Sequence, residues 1–174
     1  MTDPIGQEPP FVLTLKLDQR AFAFFDELRQ RHYPPERNVV PAHLTLFRQL
    51  PGSRGRQIKA HLRALCARQK PLALTVREVK AVGTSVAWFF DAPALLVLRN
   101  GLASEWRPWL ADQDRAAYWP HVTIQNKVTP DAATALARQL AGDFRPFPAN
   151  GMGLILWQYR GGPWQMERQF PFAG

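Results

Sequence analysis

The chain of 174 residues has a single cysteine, Cys66, and therefore cannot form an internal disulfide. Sparse cysteine usage favours a reducing compartment, and the spacing of Cys66 from Leu62 and Leu65 predicts a core side chain on a helix. No apolar run approaches the roughly 20 residues that span a membrane, and residues 1–10 are polar and contain proline, unlike a signal peptide. We therefore expect a cytoplasmic protein that does not enter a membrane.

Acidic residues are also scarce, with 14 Asp and Glu against 22 Lys and Arg, which gives a formal charge of +8. This excess favours anionic partners, nucleic acid before a membrane surface. Many small soluble proteins are equally basic without binding nucleic acid, so the charge leaves the partner open. No glycine-rich phosphate loop and no nucleophile elbow occur, which argues against nucleoside triphosphate hydrolysis and serine hydrolysis.

A short motif is present twice, as His-Leu-Thr-Leu at residues 43–46 and as His-Val-Thr-Ile at residues 121–124. Each copy lies in a run with β-strand character and has a proline just upstream. Because side chains alternate along a strand, the histidine and threonine of each copy share one face, and the aliphatic residues point to the core. One such histidine is most simply structural. Two at matched positions favour a pocket with two imidazoles and two hydroxyls.

The order of predicted elements, strand–helix–strand–helix–hairpin, occurs in both halves of the chain, at about 11–92 and 93–173. In the second half we predict a strand over 94–98 and a helix over 102–110. Two half-units that must each bury a sheet face are expected to pack around a pseudo-two-fold axis, which would bring the two motifs into one cleft. No linker separates the halves, so residues 1–174 should form a single bilobal domain.

The two motifs resemble the paired HxTx signatures of the two-histidine phosphoesterases, whose best-known branch is the bacterial 2′-5′ RNA ligase (LigT-like) family. The segment WPHVTIQNKVTP at 119–130 is similar to the second motif of that branch. The resemblance implies a bilobal α+β fold in which two antiparallel sheets form a central cleft with helices outside. It also implies metal-independent chemistry on RNA 2′,3′-cyclic phosphates or 2′-5′ phosphodiester linkages.

In this resemblance the catalytic histidines fall on His43 and His121, and the phosphate-holding hydroxyls fall on Thr45 and Thr123. The residue chemistry agrees, because an imidazole with an ordinary pKa of about 6.5 serves as either acid or base near neutral pH. Threonine hydroxyls are suited to donate hydrogen bonds to phosphate oxygens. The pattern leaves open which histidine is the acid, and whether hydrolysis or ligation is favoured.

Strict alternation along the two motif strands predicts the direction of their other side chains. Phe47 and Gln125 would lie further along the same faces and would contact a base or sugar, although packing at the rim fits them as well. Arg48 would point to the back. Trp88 and Phe90 would provide a stacking surface for a base or would belong to the core.

We expect no metal and no cofactor, because two histidines without adjacent Asp, Glu or Cys fall short of the three or four ligands of zinc. The predicted protein is a monomeric enzyme that acts on RNA or on a small cyclic or 2′-5′-linked nucleotide. A non-catalytic protein that binds an RNA end or nucleotide in the same cleft is the alternative, and a structural role for both histidines is a third. Histidine in both copies favours the enzyme, since binding alone would tolerate lysine or arginine.

Overall fold

The computed structural model describes residues 8–174, and the expectations for residues 1–7 lie outside the described residues. The described part of the chain forms an α+β fold. Its strands are β1 (Phe11–Leu17), β2 (Leu44–Leu50), β3 (Leu72–Val82), β4 (Ser85–Asp91), β5 (His121–Gln125), β6 (Phe147–Gln158) and β7 (Gln165–Pro171). Its helices are α1 (Gln19–His32), α2 (Gly55–Cys66), α3 (Pro93–Glu105), α4 (Asp112–Arg115) and α5 (Pro130–Ala141).

Local sequence signals explain where two of the long helices begin. The Asp18 carboxylate accepts a hydrogen bond of 2.9 Å from the backbone N–H of Ala21 and so caps α1. The Thr129 hydroxyl accepts one of 3.2 Å from Ala132, and Pro130 fills the first position of α5, where no N–H is needed.

The strands form one continuous antiparallel ring in the order β1-β2-β5-β4-β3-β6, which closes because β6 also pairs with β1. Strand β7 adds to β6 outside this ring. The ring differs from the two separate sheets that we expected. The reason is that β2 and β5, which carry the two motifs, pair with each other at Leu44 and Val122 and so join the halves.

The element order β-α-β-α-β is present twice, as β1-α1-β2-α2-β3 and as β4-α3-β5-α5-β6. Exchanging the two sets of three strands reproduces the same neighbours in the ring. The order restarts in the β3–β4 hairpin turn, where Gly83 adopts a φ of 59°, and not at residue 93 as predicted. The predicted strand over 94–98 is wrong, because Leu95, Leu98 and Leu102 bury one face of α3 at helical spacing.

The core lies between one face of the ring and the helices. The aliphatic residues of both motifs are buried there, with Leu44, Val122 and Ile124 at 0% exposure. Trp88 and Phe90 are buried in the same core, where Phe90 packs 5.5 Å from the α1 residue Phe25, so neither provides a surface for a base. No helix of residues 8–174 combines the length and the apolar character needed to cross a membrane.

Candidate active site

The two motif strands, β2 and β5, are paired neighbours in the ring. Since Leu44 and Val122 are paired and face the core, the residues on either side of them point to the opposite face. A cavity of about 650 Å³ opens on that face, and His43, Thr45, His121 and Thr123 all line it. Two motifs that are far apart in the chain therefore supply one site.

The two imidazoles are oriented in the same way. Nδ1 of His43 lies 2.8 Å from the carbonyl oxygen of Pro41, and Nδ1 of His121 lies 2.7 Å from that of Trp119. In both cases the carbonyl belongs to the residue two positions upstream. A carbonyl oxygen only accepts, so Nδ1 is the protonated nitrogen, and Nε2 is left to exchange protons with a ligand.

The surroundings of the two rings differ. The Trp164 ring packs 4.6 Å from that of His43, whereas Phe89 stacks at 5.6 Å on His121. Burial lowers the pKa of His43 to about 4, and the charges of Arg29 and His121 lower it further, against the opposing effect of the Pro41 carbonyl. His43 is therefore uncharged at neutral pH, which suits a proton acceptor.

Each motif strand contains an extra residue three positions after its histidine. Between the pairs Thr14–Thr45 and Leu13–Phe47, strand β2 advances two residues while β1 advances one, so Leu46 is bulged. Strand β5 advances in the same way past β4 between residues 123 and 125, so Ile124 is bulged. A bulge inserts one residue and reverses which side chains face each side of the sheet.

The bulges explain where strict alternation failed. Phe47 is fully buried and packs 5.4 Å from Trp106, and Gln125 has its Oε1 buried with no partner among residues 8–174. Neither residue lines the cavity, so their predicted contact with substrate does not fit this geometry. In their place Arg48 and Asn126 line the cavity, each five positions after its motif histidine.

Side chains from other elements support the bulged backbone. Tyr118 Oη donates a hydrogen bond of 2.9 Å to the carbonyl of Thr45, and Arg29 Nη1 donates one of 2.9 Å to the carbonyl of Thr123. Arg29 also donates to the carbonyl of Val40 at 3.0 Å. Because a bulge interrupts the ladder, these donors satisfy carbonyls that would otherwise be left unpaired.

The loop before the second motif supplies much of the cavity wall. The buried Asp114 carboxylate accepts hydrogen bonds of 2.8–3.1 Å from the backbone N–H groups of Arg48 and Gln49. Arg99 of α3 also lines the cavity, and its guanidinium packs against the rings of Phe47 and Tyr118. Trp119 of the loop lines the cavity as well and is 70% exposed. No periodic pattern marks these loop residues, so sequence reasoning had no signal by which to find them.

The motif side chains that line the cavity are two imidazoles and two hydroxyls. No group of three or more His, Cys, Asp or Glu side chains suited to a metal occurs in the part of the chain that the structure describes. Both oxygens of the Asp114 carboxylate already accept backbone N–H groups. The cavity thus offers proton-transfer and hydrogen-bonding groups to a ligand.

Solved structures of other proteins share the overall fold of this duplicated antiparallel ring. The structure is similar to that of TT0787 of Thermus thermophilus, with 17% identity, a TM-score of 0.66 and 95% and 98% of the two chains covered. It is also similar to E. coli LigT complexed with 3′-AMP, with 19% identity, a TM-score of 0.61 and coverage of 95% and 99%. At such low identity these likenesses concern the fold.

The family follows from the sequence. The profile of the 2′-5′ RNA ligase superfamily matches residues 17–163, and the chain belongs to that superfamily. No curated protein matches the chain.

Proposed function

We propose that the protein is a monomeric, cytoplasmic, metal-independent phosphodiesterase and ligase that acts on RNA 2′,3′-cyclic phosphates or 2′-5′ phosphodiester linkages. The observation that carries this proposal is the shared cavity, in which His43 and His121 both leave Nε2 unengaged beside Thr45 and Thr123. Its volume of about 650 Å³ suits a nucleotide-sized ligand. Crystals of LigT, similar in fold, contain 3′-AMP, ATP or phosphate, which supports a ligand of this kind.

The mechanism needs two proton transfers at one phosphorus atom. The uncharged His43 accepts a proton from water through Nε2, and the water oxygen forms a bond to phosphorus. The bond from phosphorus to one ribose oxygen breaks, and His121 donates its Nε2 proton to that oxygen. Each transfer by a positioned side chain typically contributes about 10²–10⁴-fold to the rate.

The threonines act on the charge that the reaction builds. As water adds, negative charge grows on the non-bridging phosphate oxygens, and the hydroxyls of Thr45 and Thr123 donate hydrogen bonds to them. When a ribose hydroxyl replaces the water, the same two transfers form its bond to phosphorus, break one ring P–O bond and so join two nucleotides. Hydrolysis and ligation therefore require one set of residues.

The decisive experiment follows hydrolysis of a nucleoside 2′,3′-cyclic phosphate in the presence of a chelator. We expect turnover by the wild type and losses of about 10²–10⁴-fold in His43→Ala and in His121→Ala. His32→Ala, which removes a histidine at the end of α1 outside the cavity, is the matched control and should retain activity. Circular dichroism would establish that each variant is folded.

Two results would contradict the proposal: turnover that depends on added metal, or turnover that survives either cavity substitution. If the wild type is inactive but binds an RNA end with a cyclic phosphate, the protein is the non-catalytic binder that the sequence left as the alternative.

A further inference from the structure

The two halves of the cavity differ in charge at equivalent positions. Arg48 and Asn126 each follow a motif histidine by five residues, each comes after the bulge that directly follows its motif threonine, and both line the cavity. Exchange of the two halves places one on the other. The first half therefore presents a cation where the second presents a neutral amide, so the charge at these two equivalent positions is not symmetric.

The guanidinium of Arg48 is available to a ligand. Its side chain is exposed, and it makes no salt bridge or side-chain hydrogen bond with any residue of 8–174. The backbone N–H of Arg48, in contrast, is fixed at 2.8 Å from Asp114 Oδ1. The backbone of Arg48 is therefore held in place, and the residue lines the cavity with a guanidinium that has five N–H donors.

Asn126 is arranged differently. Its Oδ1 accepts hydrogen bonds from Ser85 Oγ at 3.2 Å and from the backbone N–H of Lys127 at 2.8 Å. Lys127 has a φ of 61°, the left-handed conformation that most residues avoid, so this turn is closely defined. The amide NH₂ remains as the group that Asn126 can offer, which is a neutral donor and adds no charge.

We propose that Arg48 binds a second phosphate of the substrate, next to the one between the histidines. Arg48 follows Thr45 by three positions, which is at most about 10 Å at the usual strand rise, and the long arginine side chain adds to this reach, so a second phosphate fits beside the first. A guanidinium recognises phosphate with two parallel hydrogen bonds. The preferred substrate is then an RNA end whose terminal nucleotide also carries a 5′ phosphate, and not an isolated cyclic nucleoside phosphate.

The assay compares adenosine 2′,3′-cyclic phosphate with its 5′-phosphorylated form, a test that rests on the proposed function. Hydrogen bonds to a charged group are worth about 10- to 100-fold in affinity. We expect the wild type to prefer the 5′-phosphorylated substrate in kcat/KM by about that factor, and Arg48→Gln to bring the ratio close to one. Arg56→Gln removes the same charge from the exposed face of α2 and should keep the wild-type ratio.

Binding provides a readout that does not need turnover. The Kd of adenosine 3′-monophosphate and of adenosine 3′,5′-bisphosphate is measured by calorimetry for the wild type and both variants. The bisphosphate should bind about 10- to 100-fold more tightly, and only Arg48→Gln should remove the difference. If this holds while neither cyclic substrate is turned over, the proposed function fails and the phosphate site stands.

Other outcomes overturn the inference. A wild type that binds the monophosphate and the bisphosphate equally has no second phosphate site. If Arg48→Gln weakens both ligands by the same factor, Arg48 acts on the phosphate between the histidines. If Arg56→Gln lowers the preference as much as Arg48→Gln does, the effect comes from overall charge.

Discussion

The first and second halves of the ring carry the same reactive motif on the same local backbone. In both, the histidine Nδ1 lies 2.7–2.8 Å from a carbonyl two residues upstream, and a bulge follows three residues after the histidine. In both, a carbonyl of the motif threonine accepts a hydrogen bond from a side chain of another element. These shared features place imidazole and hydroxyl groups on one cavity.

The supporting side chains differ between the halves. The donor to the threonine carbonyl is Tyr118 in the first half and Arg29 in the second. The histidine of the first half packs against Trp164, which lies between β6 and the added strand β7, outside the duplicated elements. The difference teaches that duplication supplies the symmetric imidazole and hydroxyl groups, whereas side chains without a counterpart in the other half make one histidine unlike the other.

Among variants that keep both motif histidines, the largest effect should come from removing one motif hydroxyl at a time. Thr45→Val and Thr123→Val keep the side-chain shape and lose the donor, so we expect kcat to fall by about 10²–10³-fold in each, as for a single donor to a developing oxyanion. Thr75→Val on the exposed side of β3 is the control. Equal losses support two equivalent hydroxyls. A loss in only one variant would show that a single threonine contacts the phosphate.

The second comparison concerns the two donors to the threonine carbonyls. Arg29→Met leaves the carbonyls of Val40 and Thr123 without their donor in a buried setting and should lower the free energy of unfolding by about 3 kcal/mol. Tyr118→Phe removes one hydrogen bond and should cost about 1 kcal/mol. Urea denaturation measures both, with Arg20→Met on the exposed face of α1 as the control. If both variants lose the same free energy of unfolding, Arg29 does not stabilise the backbone more than Tyr118 does.

The third comparison uses pH to separate the histidines. Since the pKa of His43 is lowered to about 4, the imidazole remains an uncharged base until the pH falls through about 4, and kcat/KM should decline only there. Trp164→Ala exposes the ring, so its pKa should rise toward 6.5 and activity at pH 5 should fall by up to about 30-fold relative to the wild type.

Phe89→Ala is the matched variant for this profile, because Phe89 stacks on His121 and not on His43. It should leave the acid limb of the profile where the wild type has it. A wild-type acid limb near pH 6.5 would contradict the assignment of His43 as the base.

Apolar periodicity, which acts locally, predicted most of the strands, and the repeated order of elements predicted that the two motifs meet. They failed over 94–98, where a short apolar run fits strand and helix alike and only packing in α3 decides. They also failed at residues 47 and 125, since a bulge depends on how two strands pair and leaves no mark in either one. The one-ring closure likewise depends on a long-range pairing between β1 and β6.

The smallest expected effect concerns Phe47 and Gln125, the equivalent residues at which strict alternation failed. Phe47 fills its buried position with an apolar ring, whereas Gln125 places an Oε1 there with no partner among the described residues. Gln125→Met should therefore raise the free energy of unfolding by about 1 kcal/mol, because an unsatisfied buried acceptor is removed. Urea denaturation measures this gain, and kcat/KM on a cyclic nucleotide should match the wild type. A loss of activity without a gain in stability would mean that Gln125 reaches the substrate, as strict alternation along β5 first indicated.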